Sequence, residues 1–153
     1  MFRYVLSFTL VVCTLALAQT PFDRPLLRSI GKAEVVELID QAEEHLFVVT
    51  PALDDDDLAN AVYRAAQRGV TVYLVVSEEG ASGRYIRSLQ DAGVEAKKLE
   101  GVAEGIVLRD YRMMAYGDLV SGSGTPTQLI DIEPFGEGPT QSLAVLWQKA
   151  TPL

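Results

Sequence analysis

Histidine is almost missing from this chain: among 153 residues there is one, His45. That scarcity removes most routes to acid–base chemistry at neutral pH, where imidazole is the usual group. Cysteine is as rare. The single one, Cys13, lies in an amino-terminal apolar stretch, so the rest of the chain has no disulfide and no thiol nucleophile. Basic residues are outnumbered, 13 Lys and Arg against 21 Asp and Glu, for a formal charge of −8. An acidic chain of this size repels nucleic acid and anionic lipid at long range, which argues against a polyanion partner. No glycine-rich phosphate loop of the usual form occurs. "SGSGT" (121–125) lacks the Lys and the following helix that a phosphate cradle needs. No serine sits in a nucleophile elbow, and Ser121 and Ser123 have no His that the sequence can place beside them. The six tyrosines do not interleave with Lys or Arg, so no stacking platform for bases is indicated. No cofactor and no metal site is expected.

Long apolar runs are confined to the beginning. Arg3 and the terminal amine precede a nearly continuous apolar stretch from Tyr4 to Ala18, and Ala16-Leu17-Ala18 before Gln19 has the small-x-small form of a cleavage site. This combination reads as a secretory signal peptide over residues 1–18. The alternative is a retained anchor, but the run is short of the roughly 20 residues that a spanning helix needs. Cys13 follows Val12 where a lipoprotein would have a small residue. The expected protein is exported, periplasmic or extracellular, with no membrane span after cleavage. It starts at Gln19, keeps 135 residues and has a charge of −9 because Arg3 is lost.

Residues 19–32 contain two prolines and no clear period, and read as a lead-in segment. A single domain is expected over 33–150. Val35, Leu38, Ile39 and Ala42 recur at helical spacing, as do Leu58, Ala61, Val62 and Ala65, the latter stopped by Gly69. Residues 84–92 give a third helix with Ile86 and Leu89 inward, and 141–150 a last one with Leu143, Leu146 and Trp147 on one side. Leu46-Phe47-Val48-Val49, "VTVYLVV" (70–76) and 94–99 read as strands, 129–132 as a late strand and 121–127 as a flexible loop. Helices alternating with strands indicate an α/β domain with mainly parallel strands and right-handed crossovers. The stretch "GIVLRDYRMMAYG" (105–117) is two short apolar runs around a charged corner. Its link is too tight for a crossover, so this pair should be antiparallel.

Three features invite a chemical reading and are better explained otherwise. Asp54 to Asp57 could suggest a cation site, but they immediately precede a helical stripe, where one caps and others favour the positive end of the helix dipole. Consecutive side chains also diverge. His45, beside Glu43 and Glu44 and between a helix and a strand, reads as a solvated surface histidine away from other candidate groups. Met113 and Met114 read as core packing.

The stretch "ELIDQAEEHLFVVTPALDDDDLANAVYRAAQRGVTVYLVV" resembles the opening of a phospholipase D superfamily domain, and "SGRYIRSLQDAGVEAKK" continues the likeness. The similarity runs from about Ala33 to Trp147. It implies a phospholipase D-like single domain with a mixed, mostly parallel sheet flanked by helices. The superfamily's catalytic motif is His-x-Lys-x4-Asp with a closing Gly. Asp110, seven residues before Gly117, fits the Asp and the Gly; Ala103 then holds the place of the His and Gly105 that of the Lys. Asp118, Leu119 and Val120 follow where Ser and Asn often stand. The resemblance implies a His that attacks phosphorus, a Lys that neutralises its oxygens, and an Asp that orients the His. Alanine and glycine do neither of the first two, and Asp110 is left as a turn residue of the hairpin.

The resemblance therefore points to an exported pseudoenzyme that serves as a binding or assembly module with an unidentified protein or ligand partner. The alternative is a divergent phosphodiesterase with displaced groups, His45 or the Arg109/Arg112 pair. A third reading is a plain α/β domain whose likeness is one of fold alone. Exported single-motif nucleases of the superfamily are similar in size and build one site from two subunits, which implies a homodimer with the 105–117 hairpins facing each other.

Overall fold

The computed structural model of the chain describes residues 27–118 and 126–153. The expected signal peptide and residues 121–125 of the expected loop lie outside the described residues. At the centre is a sheet that begins with β2 (His45–Thr50) and β3 (Thr71–Val76). These two pair in parallel from His45 opposite Thr71 to Thr50 opposite Val76. Their sequences lack the polar alternation of a half-exposed strand because both sheet faces are covered. Leu46, Val48, Val72 and Leu74 enter one core and Phe47, Val49 and Val75 the other.

The first core is closed by α1 (Lys32–Asp40), α2 (Asp56–Gln67) and α3 (Ile86–Asp91), which contribute Val35, Leu38 and Ile39; Leu58, Ala61, Val62 and Ala65; and Ile86 and Leu89. These are the stripes expected from helical spacing. The second core is closed by α4 (Gly138–Lys149), which brings Leu143, Leu146 and Trp147 onto the opposite face. The acidic run at the start of α2 acts as a cap. Asp55 accepts hydrogen bonds from the backbone N–H groups of Asp57 (3.0 Å) and Leu58 (3.1 Å). Asp57 pairs with Lys32 at 2.7 Å, and Asp56 with Arg84 and Tyr85. Asp55 also pairs with Lys32 at 3.0 Å, so Asp55 and Asp57 share that ammonium while Asp56 turns toward the start of α3, and the run does not gather at one point.

β4 (Glu95–Lys98) extends the parallel side beyond β3. On the other side of β2, the hairpin of β5 (Gly105–Arg109) and β6 (Met113–Gly117) runs antiparallel to it, as expected, with Gly105 opposite Gly117. β7 (Gln128–Asp131) and an edge strand β1 (Leu27–Ser29) follow, and β8 (Thr151–Pro152) closes the far edge. The order is β1-β7-β6-β5-β2-β3-β4-β8.

The sheet is mixed and flanked by helices, but the expected predominance of parallel strands is not found. Among the described residues two pairings are parallel and five antiparallel. Helical crossovers lead from β2 to β3 and from β3 to β4, whereas β5 passes from β4 across to β2 over the short segment 99–104 without a helix and so enters antiparallel, and β6 follows it as a hairpin. The lead-in segment also holds more structure than its lack of period suggests. Leu27–Ser29 pairs with Gln128–Ile130, and with β8 this carries the sheet beyond 33–150 at both ends.

Candidate functional site

The motif positions fall at the two ends of β5. Ala103 lies exposed just before the strand and Gly105 opens it, at the sheet end where β2 and β3 terminate. Beside them is a cleft of about 580 Å³ lined by Pro51, Ser77, Glu79, Gly80, Arg84 and Val102 among others. Its polar groups are engaged with one another. The Ser77 hydroxyl donates to Glu79 at 3.0 Å and accepts from the Gly80 N–H at 3.1 Å, while the Ser77 N–H donates to the Pro51 carbonyl. Glu79's own backbone N–H and the Ser77 hydroxyl hold its carboxyl below the usual range, so it is ionised at neutral pH. Arg84, the cationic member, is committed to Asp56 and to the Asp54 carbonyl. The only basic group beside the Ser77 hydroxyl among the described residues is the ionised Glu79 carboxylate, and its charge disfavours a phosphate.

Asp110 occupies the opposite end of β5. The resemblance implied that this residue orients a catalytic His, but it stands five positions along the strand from Gly105, about 16 Å at strand rise. Its carboxylate instead receives the backbone N–H groups of Glu43 (3.2 Å), Glu44 (2.9 Å) and His45 (2.9 Å), and its own N–H donates to the His45 carbonyl. Burial acts upward on the Asp110 carboxyl. The three amides and the Arg109 guanidinium outweigh it and hold the pKa below the ordinary value. The turn-residue reading is correct as far as it goes: Arg112 N–H bonds the Arg109 carbonyl, with Asp110 (φ 49°) and Tyr111 (φ 55°) both left-handed between them. These are the φ values of a tight turn whose two central residues are usually Asn-Gly, and with Arg109 paired to Met113 the loop is Asp110, Tyr111 and Arg112.

His45 is not isolated, contrary to the expectation from sequence. It opens β2, beside the hairpin tip, and its ring lies 4.8 Å from that of Tyr111. Its Nδ1 is buried without a hydrogen-bond partner among the described residues; Glu44 Oε2 is 4.0 Å away. A shallow cleft of about 600 Å³ at this end gathers Arg68, Arg109 and Arg112, interleaved with Asp40, Glu43 and Asp110. Arg109 is bonded to Gln41 and Arg68 to the Ile39 and Ala42 carbonyls. The fold therefore assembles His45, Arg109, Asp110 and Arg112 at one end of the sheet and Ala103 and Gly105 at the other.

A family model described as "Cardiolipin synthase, PLD-like domain" matches residues 35–114, more than half of the chain. The chain belongs to the phospholipase D-like family. The match spans α1 to β6 and includes both motif ends. It removes the reading of a merely convergent α/β domain. No curated protein matches this phospholipase D-like chain by sequence. Among solved structures it is similar to Nuc from Salmonella typhimurium, a phospholipase D family member, at 14% identity and TM-score 0.67, covering 83% of this chain and 97% of that one. It is similar to NucT from Helicobacter pylori at 14% identity and TM-score 0.64, with the same coverage. TrmBL2, an archaeal chromatin protein, matches at 15% identity and TM-score 0.60 over 91% of this chain and 57% of that one. At these identities the likeness is one of fold.

Sequence reasoning missed a further feature. Phe47, Tyr73, Leu108, Tyr111, Leu143 and Trp147 meet around a cavity of about 260 Å³ between the sheet and α4. Only the grouping of Leu143, Leu146 and Trp147 on one side of α4 pointed toward it.

Proposed function

We propose that this phospholipase D-like protein is a catalytically silent binding or assembly module, exported from the cytoplasm and dimeric. The observation that carries the reading is the occupancy of the motif: alanine and glycine stand at 103 and 105, and the only histidine, His45, lies at the other end of β2, about 16 Å from Thr50 at strand rise. A second copy cannot supply the missing groups because it lacks them too. The ionised Glu79 in the adjacent cleft adds repulsion against a phosphodiester. That a similar fold occurs in an archaeal chromatin protein supports the idea that the scaffold can serve binding, although the net charge of −8 here disfavours DNA.

The test is hydrolysis of bis(4-nitrophenyl) phosphate, single-stranded DNA and a phosphatidylcholine vesicle, with chelator present. A positioned acid or base contributes about 10²–10⁴-fold in rate, and loss of the nucleophile removes the covalent route, so turnover at background is expected. The second reading, displaced chemistry, rests on the gathering of His45, Arg109, Asp110 and Arg112. Turnover that copurifies with the protein and vanishes in His45→Ala would establish it in place of the first.

Export and dimerisation share one measurement. The series Arg3, apolar run, Ala-Leu-Ala supports cleavage before Gln19, and the size and fold support a twofold pair. Native mass spectrometry of the exported protein should give twice the mass of a chain that begins at Gln19. A chain retaining Met1 would reject export by cleavage, and a monomer at micromolar concentration would reject the dimer.

A further inference from the structure

The cavity under α4 lies on the face and at the end of the sheet away from the Ala103–Gly105 cleft, so its role does not depend on whether that cleft is silent. We propose that it is a binding site for a small, uncharged ring compound. Four of its lining residues are aromatic, Phe47, Tyr73, Tyr111 and Trp147, and none of the lining residues carries a charge at neutral pH. Among the described residues, the hydroxyls of Tyr73, Tyr111 and Thr140 find no hydrogen-bond partner within the chain. Apolar walls with a few free polar groups are the usual make-up of a small-molecule site. An apolar cavity of about 150 Å³ suffices for benzene; about 260 Å³ accommodates one substituted ring or a small bicycle.

The geometry also selects against charged ligands. The Phe47, Tyr73 and Trp147 rings contact each other, with centroids 5.8, 5.9 and 5.0 Å apart. They form a packed wall, whereas a cage for an ammonium group must stand its rings around an open centre. The Trp147 ring already has the Lys97 ammonium 4.2 Å from its centroid. An anion would meet no cationic lining residue and would lose its hydration uncompensated.

Tyr111 adds an independent observation. It holds φ 55° as the second residue of a turn that favours glycine there, and its ring is spent at the cavity mouth against His45. Strain of this kind persists where the surroundings, and often the function, require it. If Tyr111 serves only the fold, glycine should relax the turn with no other consequence.

Trp147 is the only tryptophan, so its indole N–H gives one resonance in a ¹H–¹⁵N spectrum. The full chain is titrated with benzyl alcohol, benzoate and benzylamine. A saturable shift with benzyl alcohol is expected, and at least tenfold weaker binding of the two charged analogues. Tyr111→Gly should lower the affinity for benzyl alcohol at least tenfold while leaving the thermal midpoint unchanged or raised. Ala144→Phe, at an exposed helix position on the rim, should lower it similarly by filling the mouth. Absence of a saturable shift, equal or tighter binding of benzylamine or benzoate, or unchanged affinity in both variants would each overturn the proposal.

Discussion

Replacing Asp110 with alanine should destabilise the fold by about 2–3 kcal/mol without any link to catalysis. Three backbone N–H groups converge on this carboxylate, and they belong to the connection between α1 and β2. Hydrogen bonds to a charged acceptor contribute about 1.5–3 kcal/mol each when well buried. Here the site is partly open to water, which can re-solvate some of the amides, so the total falls well short of three times that range. Asp110→Asn keeps one carbonyl acceptor but no charge, and about half the loss is expected. The pH dependence fixes the mechanism. The carboxyl pKa is lower in the folded protein than in the unfolded chain. Its contribution is therefore complete above the ordinary carboxylate value, near 3.8, and is lost as the pH falls through the lower folded value. Urea unfolding at pH 7 and at pH 3 measures this: the gap between wild type and Asp110→Asn should narrow at the acid end. A gap that stays constant down to pH 3 would show that the charge is not what holds the amides.

The location of that carboxylate separates what the sequence could show from what it could not. The stripes of α1 and α2 and the apolar runs of β2 and β3 were readable because each is a local pattern whose members are mostly buried. Asp55 was readable as a cap because its partners, Asp57 and Leu58, are its near neighbours. Asp110 is bonded to residues 65 to 67 positions away, and no local pattern encodes that. The contact of His45 with Tyr111 escaped notice for the same reason. β1 left no trace because its side chains are exposed and its ladder partner, β7, lies about a hundred positions away in the chain. The aromatic cavity draws on residues from Phe47 to Trp147, which only the packing of α4 on the sheet brings together. The left-handed Tyr111 could not be anticipated either, since Asp-Tyr does not advertise a turn that ordinarily carries Asn-Gly.

Gly117→Ala should be among the most damaging single substitutions, at about 3–5 kcal/mol. Gly117 ends β6 opposite Gly105, beside the motif cleft, with φ at +143°, a conformation that side-chain-bearing residues rarely adopt. Strain of this kind alone costs about 1–3 kcal/mol. A Cβ there would also lie 2.5 Å from Thr127 Cα, 2.6 Å from the Pro126 oxygen and 2.7 Å from Thr127 N. All three are backbone atoms, so no rotamer change relieves the overlap; the start of β7 must move, and such overpacking costs about 1–3 kcal/mol more. Gly136 is the internal control. Its φ is +62°, and nothing lies within 4 Å of a Cβ built on it, so Gly136→Ala should show the strain term alone. Comparing the two variants by urea unfolding isolates the close approach, and equal losses would mean that β7 yields freely. The pair of results bears on the motif itself. Asp110 and Gly117 are the two positions at which this chain matches the superfamily motif, and both hold backbone in place. Ala103 and Gly105, where it departs, stand where the motif would supply reactive side chains, and neither has a functional group to offer.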